Sequence, residues 1–219
     1  MSHHAVPPAT DHRTRILDAA HRCFVRSGFH RATMQAVAAE AGMSAGNIYR
    51  YFASKDAIIA GLSARDRADL AASFAGLNVA GDLMGAFVAI GEHHLVREPR
   101  EKMVFLLELW AESARNPAIA EICQDCETDI RGWITGFLTR LVERGEAVAD
   151  IDVPALSSLL MSMADGLLAR RAREPAFTPA PHVQQLADVL RLACAGQMPS
   201  LLKTPGSAGA AHGPGVRHD

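Results

Sequence analysis

Residues 33–55 read TMQAVAAEAGMSAGNIYRYFASK, and the rest of the chain is arranged around them. An apolar run from Met34 to Ala41 suits a short helix, Gly42-Met43 interrupts it, and Ser44 supplies a side chain that can cap the next one. The second helix carries both tyrosines of the chain, Tyr49 and Tyr51, and Ser54 offers a further cap. Two short helices about such a break are a helix-turn-helix pattern. Val37 and Ala41 lie one turn apart, as do Ile48 and Phe52, so each helix has an inward face. The opposite side of the second helix holds Ala45, Gly46, Asn47, Tyr49, Arg50 and Tyr51, and its first two residues are small enough to let the backbone lie close against another surface.

The chemistry of that side fits double-stranded DNA. Arg50 carries the donor fork that matches guanine O6/N7, Asn47 an amide suited to adenine, and Ala45 a methyl group for thymine. Thr33, Tyr49, Tyr51 and Lys55 add hydroxyls and a cation for phosphate oxygens, which fix position rather than sequence. Thr33 and Lys55 also stand at helix N-termini, where free amides favour an anion. The candidate DNA-contacting set is therefore Thr33, Ser44, Ala45, Gly46, Asn47, Tyr49, Arg50, Tyr51 and Lys55. Short helices with glycine turns also occur in helical domains that never meet DNA.

Extended outward, TRILDAAHRCFVRSGFHRATMQAVAAEAGMSAGNIYRYFASKDAII, residues 14–59, resembles the N-terminal DNA-binding domain of the TetR family of bacterial transcriptional regulators. The agreement runs in order: a first helix ending at Gly28-Phe29, Thr33 capping the second, Gly42 and Ser44 in the turn, then Ala45-Gly46, Tyr49, Tyr51-Phe52 and Lys55. The resemblance implies that Thr33, Tyr49, Tyr51 and Lys55 hold phosphates while Ala45, Gly46, Asn47 and Arg50 face bases. Tyr51 departs from the histidine common at that place, and either side chain can donate to a phosphate.

The chain has 219 residues, enough for one large domain or two small ones around a sizeable core. Its net charge of −2 hides an asymmetry: residues 1–56 hold seven Lys/Arg against four Asp/Glu, and the remainder fifteen against twenty. A basic head on an acidic body is expected where only the head meets phosphates. No apolar run follows the N-terminal charges as a secretory segment would, and none approaches bilayer-spanning length. A cytoplasmic protein with no membrane partner is expected. Four scattered cysteines are too few for a disulfide framework.

Before and after the head, the pattern is helical. Residues 1–9 read as disordered. A helix from Thr10 or Asp11 to Gly28 places Ile16, Leu17, Ala20 and Phe24 inward, with Cys23 beside them. A long helix from Ser54 to about Leu77 links the head to the larger remainder of the chain, and Asn78 to Gly81 breaks it. The next helix puts Leu83, Phe87, Ile90 and His94 on one side, so His94 is either a core histidine or a ligand-binding group. Met103 to Trp110 is apolar on every side except at Glu108, which must be ion-paired, protonated or turned to a cavity. From Asn116-Pro117 to about Gly145 a stripe runs through Ile119, Cys123, Cys126, Ile130, Trp133, Phe137 and Leu141. Its Cys-x-x-Cys spacing, with no second pair, suits core packing or a redox-sensing pair, not zinc. Two more amphipathic helices complete the body, one starting at Asp152 and one carrying Val183 to Ala193. Residues 198–219 are Gly/Ala/Ser/Pro-rich and read as a disordered tail.

No strand pattern persists, so the expected fold is all-α with about nine helices: residues 10–55 a DNA-binding domain, 56–197 a helical domain for effector binding and dimerisation. The resemblance implies a repressor that binds a near-palindromic operator as a homodimer and is released by a small-molecule effector. His94, Met103, Glu108, Trp110, Trp133 and Phe137 are the candidate effector pocket. Leu156, Leu160, Met163, Leu167, Val183, Leu186 and Leu190 are the candidate dimer interface. Neither a cofactor nor a metal ion is expected. The alternatives are a redox-sensing regulator using Cys123 and Cys126, and a helical enzyme or bundle without DNA binding. No Walker loop, G-x-S-x-G, H-E-x-x-H or dinucleotide fingerprint supports the enzyme.

Overall fold

Small polar residues set the helix starts. In the computed structural model, which describes residues 9–77 and 81–203, the Thr33 hydroxyl accepts from the Ala36 amide at 3.1 Å, Ser44 from Asn47 at 3.2 Å and Ser54 from Ala57 at 3.1 Å. Each satisfies an amide that the first turn leaves free. Helices α1 (Ala9–Ser27), α2 (Met34–Ala41), α3 (Ala45–Tyr49) and α4 (Lys55–Gly76) form as the polar punctuation predicts. Gly42 ends α2 in the left-handed region at φ 63°, a conformation that a Cβ disfavours. Helix α3 is shorter than its sequence pattern: Arg50 is its C-cap, and Tyr51 lies in the turn beyond it.

The larger part continues with α5 (Leu83–Gly91), a π-helical turn (Glu92–Arg97), α6 (Arg100–Ser113), α7 (Pro117–Glu143), α8 (Val153–Arg173) and α9 (Ala180–Cys194). Asn116 and Asp152 cap α7 and α8 as expected. The fold is all-α, with nine α-helices among the described residues, none of them long and apolar enough to cross a membrane.

Two apolar cores hold these helices. The first joins Ile16, Phe24, Val37, Ile48, Phe52 and Ile58 of the head to Phe105 and Leu109 of α6 and Ile119 of α7. Phe24 and Phe105 stack with centroids 5.4 Å apart and planes 3° from parallel. Packing thus crosses the expected boundary at 55/56. The second core gathers Phe74, Leu83, Phe137, Leu141, Leu156, Leu160, Leu186 and Leu190.

The tail begins later than its composition suggests. Pro199–Leu201 forms a 3₁₀ turn with Leu201 buried in the second core, the Asp152 amide donates to the Leu201 carbonyl at 2.7 Å, and the Lys203 amide to Asp150 at 2.8 Å. A leucine that can reach a core outweighs its Gly/Pro-rich neighbourhood. Of the expected disorder at 1–9 and 198–219, Ala9 instead opens α1, while 1–8 and 204–219, with the break at 78–80, lie outside the described residues.

Candidate nucleic-acid interface

Helix α3 is pinned from below by one residue. Ile48 is fully buried, while Ser44, Gly46, Tyr49 and Arg50 are exposed and Asn47 is half-buried. A Cβ built on Gly46 would meet nothing within 4 Å, so the backbone there is open to close approach. The Arg50 guanidinium makes no side-chain hydrogen bond among the described residues, and Tyr49 is 49% exposed. Thr33 is exposed at the start of α2. Ala45 and Tyr51 are half-buried against the first core, and the Tyr51 ring lies 5.9 Å from that of His12. The larger domain leaves this side uncovered.

Several basic residues of the head are occupied in holding it together. Arg15 donates to the Ala41 carbonyl at 2.7 Å, closing the C-terminal end of α2 onto α1. Arg22 and Arg26 reach Glu40 at 2.8 and 3.0 Å and hold its carboxyl below the usual carboxylate range. The excess of positive charge thus partly locks α1 against α2, a role that composition alone does not reveal.

Lys55 has a more specific task. Its ammonium donates to the Phe29 carbonyl at 2.7 Å and stands 4.0 Å from the centre of the Phe29 ring. The Phe29 amide donates to Glu108 Oε2 at 2.6 Å. One loop residue is therefore gripped through its carbonyl by α4 and through its amide by α6. Gly28 makes room for this: its φ is +77°, and a Cβ there would lie 2.8 Å from Glu108 Oε1. One turn along α6, the buried Glu112 binds Arg115 at 2.6 Å and faces His30 at 3.4 Å.

Glu108, expected in an effector pocket or an arginine salt bridge, is instead the acceptor for this loop. It does stand out in sequence as the one charged residue on an apolar stretch, but its partner is a backbone amide that no side-chain pattern can show. Of the other five candidate pocket residues, only Trp133 and Phe137 share one aromatic group, around Phe74 and Phe87. Met103 and Phe137 are fully buried, and Phe137 stacks on Phe87 at 4.2 Å. Trp133 packs on Phe74 at 5.8 Å. Half-buried Trp110 sits on α6 and half-buried His94 in the π turn, where burial lowers its pKa. Open clefts lie instead between α8 and α9, one of about 610 Å³ around Phe177 and one of about 370 Å³ lined by Met163, Gly166, Leu167, His182 and Gln185.

The candidate dimer residues divide. Leu156, Leu160, Val183, Leu186 and Leu190 are buried within the chain, so they cannot meet a second subunit; Met163 and Leu167 remain half-buried beside the second cleft. Each helix has one apolar stripe wide enough to serve two sides, and the chain's own core takes the richer one. Cys123 and Cys126 are both half-buried on α7, and burial pushes both thiols up, outweighing the nearby Arg67 at Cys126. A raised thiol pKa leaves little thiolate to react, which disfavours the redox alternative.

Comparison with known proteins agrees with the geometry of the head. Residues 16–62 match the family described as bacterial regulatory proteins, tetR family, and residues 93–195 match the BetI-type transcriptional repressor C-terminal domain. The chain belongs to the TetR family. This TetR-family protein is similar to the HTH-type transcriptional regulator UidR of Escherichia coli K12, with 29% identity over 182 residues covering 81% of this chain and 90% of the relative. It is similar to the HTH-type transcriptional repressor AcnR of Corynebacterium glutamicum, 25% identical over 172 residues covering 78% and 88%. Among solved structures it resembles Salmonella enterica GusR, with a TM-score of 0.73 and 25% identity over 87% of this chain and 98% of that one. It is a DNA-binding transcriptional regulator and not an enzyme.

Proposed function

We propose that this TetR-family regulator is a repressor that binds a near-palindromic operator as a homodimer, with the outer side of α3 in the major groove, and leaves when a small molecule binds the larger domain. The observation that carries this reading is the contrast within and just beyond α3, whose underside is sealed by Ile48 while Gly46, Tyr49 and Arg50 are exposed beside half-buried Asn47. Thr33 and the N-terminal ends of α2 and α4 flank them for phosphate contact. The repressor sense is supported by the names of relatives such as AcnR.

The dimer face would be the outer sides of α8 and α9, around Met163, Gly166 and Leu167, with Leu192 exposed towards the other end of α9. Two reading helices must be held about 34–36 Å apart to meet successive half-sites. An effector acts by favouring the conformer in which that spacing is wrong. The aromatic group of Phe74, Phe87 and Trp133 is the best-suited place for it to enter, because Phe87 and Trp133 are only partly buried. The shift would reach the head by two routes. Helix α4 is tied to α7 by Arg67, whose guanidinium donates to Asp129, and α6 holds Phe29 through Glu108.

The test is enrichment of a genomic-fragment pool by the full-length protein, with footprinting of the enriched fragments. A discrete palindrome protected on two major-groove faces one turn apart is the expected result. Equal retention of all fragments would overturn the reading.

A further inference from the structure

Between α5 and α6 the chain passes through the π-helical turn Glu92–Arg97. Such turns are rare and concentrate at functional positions. His93 and His94 lie within the turn, and Glu98 directly follows it. The His93 and His94 rings meet edge to face with centroids 4.8 Å apart. One nitrogen from each and one Glu98 oxygen all lie within 4.8 Å of one another. Nε2 of His94 is buried without a hydrogen-bond partner, which is unfavourable for a polar atom unless something else occupies its lone pair or proton.

We propose that His93, His94 and Glu98 form a binding site for one divalent transition-metal ion of borderline softness, zinc in type. Two imidazoles and a carboxylate suit such an ion, whereas calcium and magnesium require an oxygen shell. Metal–nitrogen distances of about 2.0–2.1 Å place tetrahedral ligands roughly 3.3 Å apart. Small rotations of exposed His93 and half-buried Glu98 close the remaining gap, and the exposed side leaves a fourth position for water.

The neighbour that the ion must displace is also defined. Lys102 Nζ lies 3.0 Å from Glu98 Oε1 and 3.4 Å from Asp66 Oδ2, so its ammonium serves as the counter-charge that a metal would replace. With Glu98 taken by the ion, Lys102 is left to Asp66, which lies on α4. Loading the site therefore changes the partners of the residue that links α6 to α4. The site does not rest on the reading of α3 as the operator-binding helix.

Metal-free full-length protein titrated with Zn²⁺ by calorimetry, and with Co²⁺ by absorption spectroscopy, tests the site. The chain has ten histidines, so the decisive comparison is with His93→Ala/His94→Gln. One ion per chain, a tetrahedral Co²⁺ band, and an affinity loss of about 10–100-fold in the double variant are expected. Lys102→Met should bind Zn²⁺ more tightly than wild type, because the competing ammonium is gone. If the double variant unfolds, His93→Ala alone, at an exposed position, must show the loss. Equal binding by wild type and the His93 variants, or no binding by wild type at micromolar Zn²⁺, overturns the site.

Discussion

Helices α3 and α8 each bury one side and leave another, yet only α3 declares in sequence what lies opposite. The free side of α3 is polar and directional, and an arginine, an amide and a tyrosine beside two small residues have few other uses. In α8 the inner leucines and the outer Met163 and Leu167 are chemically alike. Which apolar stripe turns inward depends on what α7 and α9 present to it, and that is a tertiary fact. A helix meant for a polar partner can thus be read in isolation, whereas a helix meant for two apolar partners cannot.

The contrast can be broken most sharply at Leu167. Leu167→Asp should place an uncompensated charge in the proposed subunit contact and weaken dimerisation by about 3–5 kcal/mol, as sedimentation equilibrium would read. A change in monomer stability without dissociation would mean that this side also faces inward. Leu160→Ala, on the buried side of the same helix, should lower unfolding free energy by about 2–5 kcal/mol in urea titration. Glu108→Ala strips the Phe29 amide of its acceptor and should cost about 1–3 kcal/mol. Glu108→Gln, which keeps an oxygen, should retain most of that.

On α3 the expected effects are smaller and fall on binding. Arg50→Ala should weaken operator binding by about 1–3 kcal/mol and relax preference at one base pair, with stability unchanged. Unchanged gel-shift affinity would remove Arg50 from the base-reading set. Ser44→Ala deletes only a cap and should cost about 1 kcal/mol of stability, visible as a lower midpoint in thermal melts monitored by circular dichroism.

Legibility in the sequence tracks the range of the interactions. Thr33, Ser44, Ser54, Asn116 and Asp152 cap helices through amides two or three residues away, and local chemistry of that kind is written in order along the chain. The link from Glu108 to Phe29 spans 79 positions and ends on a backbone group, so nothing in the residue types marks it. Helical spacing puts His94 on the inward side of its helix, where the structure also has it half-buried, but the wider turn that sets it beside His93 and Glu98 is a backbone choice without a residue signature. The candidate pocket is scattered for a related reason. Trp133 and Phe137 meet Phe74 and Phe87 between α4, α5 and α7, whereas Glu108 is drawn to a backbone amide of the head, a partner that helical spacing does not reveal.

The stacking of Phe24 on Phe105 bears on how this molecule could be taken apart. An excised reading head ending near residue 60 would lose the aromatic lid contributed by α6, together with Leu109 and Ile119, and would present their imprint to water. Such a fragment should be less stable than the same helices within the full chain. Grafting this head onto another sensor would require carrying those three side chains, or substitutes of like shape, along with it.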